Sequence, residues 1–294
     1  MDVFISIAVI GLGVGFLYAL VSMGLTLTYG VLRVVNFAQG EFMMVGMYAT
    51  WVLHEEFGLD PYLSWPLSTL LVMALSLVVY ELVIKRTIAS AHAVQAFVTL
   101  GLALVLQSAA LFVFSSHIVT TDSILGAGAL VIGPVRLGYT YIASAFAAII
   151  VTVLLYQLMQ RTTFGRAVRA TAQNAHAAQL QGISTNGVYR WTFVLGTGLA
   201  GLAGAVFSPI YATFPTVGFG IMLVAFVVVV LGGMGSLPGA LIAALLIGLV
   251  EAFSSYLIGP SARFVVVFLV FVGILLVRPQ GILGIKGSEL VGYN

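Results

Sequence analysis

No cysteine occurs anywhere in the chain. That excludes disulfides, thiolate metal sites and cysteine nucleophiles together. Lysine is nearly as scarce, with only Lys85 and Lys286. Neither follows the glycines of a G-x-x-x-x-G-K-[ST] segment, so the chain carries no phosphate loop of its own. His-Glu-x-x-His and G-x-S-x-G are missing too, and with them the usual zinc-protease and serine-hydrolase arrangements. His54, His92, His117 and His176 are too dispersed for a zinc site. Nothing brings a nucleophile to a base, so no catalytic residue, metal or other cofactor is expected. If this protein does energised work, another chain supplies the energy.

Charge is the deepest shortage. Only 7% of residues are charged and 61% are hydrophobic, with a mean hydropathy of +1.17. Average soluble domains carry roughly 25% charged residues. Too few polar side chains exist to cover a soluble globule, so the bilayer must be the solvent. A β-barrel would show alternating strands of about ten residues. Unbroken apolar runs such as LVAFVVVVL (223–231) predict helices instead. The expected fold class is all-α, a polytopic membrane protein with broken or re-entrant elements. A net charge of +2 points to no nucleic-acid partner. The apolar N-terminus, MDVFISIAVIGLGVGFLYAL, lacks a basic leader and places Asp2 where a leader would be positive. It reads as a retained first span.

Spans are predicted at roughly 4–30, 37–55, 63–84, 93–114, 139–160, 191–212, 220–232, 239–257 and 262–277. About twenty residues are needed to cross the hydrocarbon. The stretch 220–232 is too short by itself and 37–55 opens on a polar knot, so eight or nine crossings are expected. Their alternation puts Arg33, Lys85, Arg86, Arg161, Arg166, Arg169, Arg190, Arg278 and Lys286 on one side. The other side has Arg136 and Arg263, together with Asp2, Glu55, Glu56, Asp60 and Asp122. Nine basic residues against two put the N-terminus outside and the C-terminus in the cytoplasm. The whole chain, 1–294, reads as one membrane domain.

Within it, residues 161–190 stand out: RTTFGRAVRATAQNAHAAQLQGISTNGVYR has four arginines and no acid. A connection this long is uncommon unless it has a task. Ala175 to Gln181 are good helix formers, Asn174 can cap their start and Gly182 can close their end. A short capped helix shown to the cytoplasm is a docking element for a soluble partner.

Three intramembrane features invite a functional reading, each with a plainer one beside it. The knot Asn36-Phe37-Ala38-Gln39-Gly40-Glu41 is either a solvated turn before a helix or a broken helix lining a polar cavity. Leu231 to Gly239, with Gly232, Gly233, Gly235, Pro238 and Gly239, has the same two readings. The short stretch before it favours a re-entrant or unwound hinge. Glu251 is the one acid well inside a span, roughly 18 Å along its helix from Gly239. It is either a functional-site residue or a structural carboxyl, bonded to a neighbouring helix or close enough to the outer surface to be wet. Asn36, Gln39, Glu41 and Glu251 are the pathway candidates. Gly196, Ala200 and Gly204, and likewise Gly11 and Gly15, form small-residue stripes read as packing faces. A Gly-rich break recurs near residues 30–40 and 232–239, without a residue-by-residue match between the halves.

Five stretches, taken in order, resemble one family. They are YALVSMGLTLTYGVLRVVNFAQGEF (18–42), VTLGLALVLQ (98–107), GRAVRATAQNAHAAQLQGI (165–183), LGGMGSLPGALI (231–242) and RPQGILG (278–284). The chain is similar to the branched-chain amino acid ABC transporter permeases, specifically the shorter, H-type subunit of the high-affinity Liv system family. The resemblance implies an importer built with a paralogous permease, two ATPase subunits and an extracytoplasmic binding protein, in a bacterial inner membrane. It implies that the basic loop is the ATPase coupling element, with Arg166, Arg169, Asn174, Ala175, His176, Gln179 and Gly182 as its contact residues. The family pattern has Glu-Ala-Ala before its loop glycine, where this chain has Thr171-Ala172-Gln173. Similar permeases carry urea, short amides or aromatic acids, which is the alternative substrate class. An ion-coupled transporter would want several ionisable residues inside its spans, and a channel would need no docking loop.

Overall fold

The computed structural model describes residues 2–126, 128–132 and 135–284. Lys286 lies outside them. The helices, in chain order, are α1 (Asp2–Leu32), α2 (Gln39–Phe57), α3 (Pro61–Val79), α4 (Lys85–Thr87), α5 (His92–Phe114), α6 (Tyr139–Arg161), α7 (Thr163–Gln173), α8 (Ala175–Leu180), α9 (Thr185–Phe207), α10 (Val217–Gly232), α11 (Leu237–Leu257) and α12 (Arg263–Val277). A π-helical turn, Tyr80–Ile84, joins α3 to α4 without a break. A hairpin of β1 (Ala129–Ile132) and β2 (Val135–Gly138), antiparallel, lies between α5 and α6. The sequence reading contains no counterpart to it.

Among the described residues, seven helical stretches are long and apolar enough to cross a membrane: Val3–Leu32, Pro61–Thr87, His92–Phe114, Tyr139–Arg161, Thr185–Phe207, Leu237–Leu257 and Pro260–Val277. The two elements marked in the sequence as irregular, α2 and α10, fall outside these seven, as do the loop helices α7 and α8. The 16 residues of α10 reach only about 24 Å. One boundary needs correction. The span expected from about 191 begins at Thr185, because Ser184 caps it by accepting from the Gly187 N–H at 3.4 Å. Arg190 therefore sits on α9, not on the loop.

Local chemistry explains the other ends. Asp60 accepts from the Tyr62 N–H at 2.9 Å and Pro61 opens α3, where its missing N–H costs nothing. Gly58 closes α2 at φ 63°, a left-handed position that suits glycine. Small residues then set the packing. Gly11 and Gly15 of α1 face Gly248, Leu249 and Leu245 of α11, so the two helices run antiparallel in close contact. A Cβ on Gly24 would collide with the Gly196 carbonyl of α9, and one on Gly204 with the Met43 carbonyl of α2. The stripes are packing faces. Helices α1, α2, α9 and α11 thus form the inner body, with Leu17, Leu20, Phe42, Phe193 and Phe207 fully buried among them. Peripheral α12 buries one residue, Val267.

Candidate functional site

The polar knot lies deep in the helical body. After α1 the chain does not run out along its end. Arg33 takes φ 58°, an uncommon conformation for a residue with a Cβ, and residues 33–38 fold back alongside the helix. Gln39 Nε2 donates to the Gly196 carbonyl at 2.9 Å and to the Val21 carbonyl at 3.4 Å. Val21 is eleven residues before the end of α1 at Leu32, and Gly196 eleven after the start of α9 at Thr185. Both spacings put Gln39 about 16 Å in from the same end of the molecule, close to half of a ~30 Å hydrocarbon layer. Asn36 Nδ2 donates to Gln39 Oε1 at 3.2 Å, and Asn36 Oδ1 accepts from the Ala38 N–H at 3.1 Å. The Thr99 hydroxyl donates to the Val35 carbonyl at 3.1 Å. Side chains thus satisfy the irregular backbone, as non-helical chain at membrane depth requires. Asn36 and Gln39 are fully buried and Glu41 is 2% exposed.

Glu251 is held elsewhere. It lies six residues from the end of α11, about 9 Å along the axis, toward the opposite end from the basic loop. Tyr18 donates its hydroxyl to Oε2 at 2.7 Å, and Arg263 Nη1 lies 3.3 Å from Oε1. Both oxygens therefore have partners, contributed by α1 and by the start of α12. The structure brings Asn36, Gln39 and Glu41 together and leaves Glu251 apart from them.

The segment 232–239 is a capped connection between adjacent helices. Gly233 and Gly235 take φ 96° and 90°, Ser236 accepts from the Gly239 N–H at 3.2 Å, and Pro238 sits in the first turn of α11. Gly232 lies against Gly239, too close for a side chain. The stretch 278–284 folds back on it: Ile282 and Leu283 donate their N–H groups to the carbonyls of Leu231 and Gly232 at 2.6 and 3.2 Å. Two separated sequence stretches thus build one structure, the closed end of α10.

In the basic loop the Asn174 cap is present, accepting from the Ala177 N–H at 2.9 Å, and Gly182 takes φ 81°. Between them α8 holds Ala175, with His176 and Gln179 exposed. Gln179 Nε2 donates to the Thr185 hydroxyl at 2.7 Å, tying α8 to α9. The second helix, α7, is absent from the sequence reading, although Phe164, Val168 and Thr171 follow a helical period. Thr162 caps it, accepting from the Gly165 N–H at 3.0 Å. Arg169 of α7 donates to the Met159 carbonyl at the end of α6, while Arg166 stays exposed. Leu180 was also missed: it ends α8 76% exposed, an apolar side chain on a polar surface. Arg190 pairs with Glu81 at 2.5 Å, and Glu81 also with Lys85 at 3.0 Å. The acid lacking in the loop comes from the π-helical turn.

A polytopic helical body with a polar mid-depth segment and a capped helical loop at one end defines a membrane transport protein. Residues 7–277 match the family described as branched-chain amino acid transport system, permease component, and the chain belongs to that family. Relatives agree over nearly the full length. The high-affinity branched-chain amino acid transport system permease protein BraD of Pseudomonas aeruginosa is 34% identical, covering 96% of each chain. LivH of Salmonella typhimurium, a permease protein of the same named system, is 31% identical over the same shares. The probable branched-chain amino acid transport permease LivH of Methanocaldococcus jannaschii is 29% identical, over 93% of this chain and 90% of its own. No solved structure matches. The chain is a multi-pass membrane transport subunit.

Proposed function

We propose that this chain is the permease subunit of an ATP-driven importer of branched-chain amino acids, in a bacterial inner membrane. It forms half of the pathway, beside a paralogous permease. Two ATPase subunits and an extracytoplasmic binding protein complete the importer. The observation that carries this reading is the pair α7–α8, a rigidly anchored helical loop with one exposed apolar residue. Arg169 and Gln179 fix the pair to α6 and α9, so a push on Leu180 moves spans and not a slack connection. The loop between α6 and α9 is then the coupling element within a single domain of 1–294. Arg166, Asn174, Ala175, His176 and Gly182 shape its contact face. The basic end of the molecule faces the cytoplasm, with the N-terminus outside, because Arg33, Lys85, Arg86, Arg161 and Arg278 gather there.

Copurification of the ATPase subunits with this chain, and ATP-dependent leucine uptake by the reconstituted complex, test the reading. Uptake without ATP, or a complex that forms without ATPase subunits, would sink it. Orientation is checked separately by single cysteines, which the cysteine-free chain accepts without background. A cysteine at position 169 should resist an impermeant reagent in intact cells, and one at Asp122 should react.

A further inference from the structure

Glu41 lies in the first turn of α2, and its Oε2 is buried with no hydrogen-bond partner. Among the described residues no Lys, Arg or His pairs with it. A buried carboxyl without donors is costly, yet this one is aimed at a definite place. A Cβ on Gly218 would come within 2.7 Å of Glu41 Oε2 and 2.6 Å of the Gly40 carbonyl. Gly218 is the second residue of α10, and no side chain caps that helix. The Val217 N–H already donates to the Phe214 carbonyl at 3.1 Å, so it is the positive end of the α10 dipole, one residue further on at Gly218, that sits beside an unpaired carboxyl. A lone negative group next to anion-seeking amides is complementary to a ligand carrying both signs on neighbouring atoms. The head group of an α-amino acid is such a ligand, its ammonium suited to Glu41 and its carboxylate to the start of α10.

The surroundings suit a stop on a route. Toward the basic end, Phe37 and Phe226 stack with centroids 6.2 Å apart. Seven residues along α2 in the other direction, Tyr48 stacks on Phe114 at 4.1 Å. The Tyr48 hydroxyl is buried without a partner. So is that of Thr213, which pairs through its backbone with Val119, a residue packed against the Tyr48 cluster. Unsatisfied polar atoms thus occur halfway along α2, at Tyr48, and again at its start, at Glu41.

We propose that Glu41 and the first turn of α10 form a station for the head group of a zwitterionic α-amino acid. The two aromatic pairs close it on either side, and it opens when α2 and α10 part. The proposal rests on the importer reading above. Its test compares wild type, Glu41→Gln and Glu41→Asp as complete importer complexes in proteoliposomes. Labelled leucine uptake is measured, and thermal unfolding of each complex. Losing a charge-assisted contact on the route should lower the maximal rate of Glu41→Gln about tenfold. Glu41→Asp should recover part of it. The KM, set by the binding protein, should stay at the wild-type value, and the Tm should not fall, because the carboxyl has no partner to lose. A wild-type rate in Glu41→Gln overturns the proposal alone, as does a lost rate accompanied by a lowered Tm, which marks a structural carboxyl. Absence of leucine uptake by the wild-type complex would overturn the importer reading, and this proposal with it.

Discussion

Two carboxyls lie inside the helical body, and their surroundings differ at every point. Glu251 is fully served: one oxygen takes the Tyr18 hydroxyl, the other faces Arg263, and the three residues come from α11, α1 and α12. Glu41 is equally hidden and has an oxygen with no partner. A carboxyl with a partner on each oxygen from its own chain links the helices that supply them. One left empty against a helix start contributes little to the fold and keeps its capacity for something that arrives. Burial alone, which the two share, does not separate these roles; the count of partners does.

The sharpest way to break this contrast is Glu251→Leu. It strands the buried Tyr18 hydroxyl and frees Arg263, which should cost about 2–3 kcal/mol, read as a lowered Tm of the assembled complex. An unchanged Tm would show that the Glu251 triad joins nothing. Tyr18→Phe comes next. It removes one donor and leaves the carboxylate its half-exposed arginine, for about 1 kcal/mol. In a Glu251→Leu background the same change should cost much less, since the two act as one unit. Smallest is Arg263→Gln. The guanidinium is 38% exposed, so screening leaves the pair worth under about 1 kcal/mol, and a drop as large as that of Glu251→Leu would reverse the order of partners. Glu41→Gln, by contrast, should cost no stability and lower transport.

The sequence marked these carboxyls and could not tell them apart. Glu251 stands out because an acid inside an apolar helix is rare, but Tyr18 lies 233 positions away and nothing local points to it. The same blindness hid the Glu81–Arg190 pair and the return of residues 278–284 onto the end of α10. What was legible is what short range decides: apolar runs, the Asn174 cap, the left-handed Gly182, the small-residue stripes and the polar knot as an oddity. The hairpin at 129–138 was missed because its strands are four residues each, too brief for alternation to register. Helix α7 was missed for a different reason. Its period is carried by partly buried Phe164 and buried Val168 and Thr171, but the arginines interleaved with them give the stretch a polar reading.

The contact between Gly40 and Gly218 also bears on how this body moves. Where helices meet through large side chains, each knob sits in a hole, and displacement requires several rotamers to change together. Here two backbones touch, with only Met222 and the Glu41 carboxyl flanking the contact. Such a joint has few teeth: a shift of α2 against α10 at this point has two side chains to displace, and one of them is Glu41.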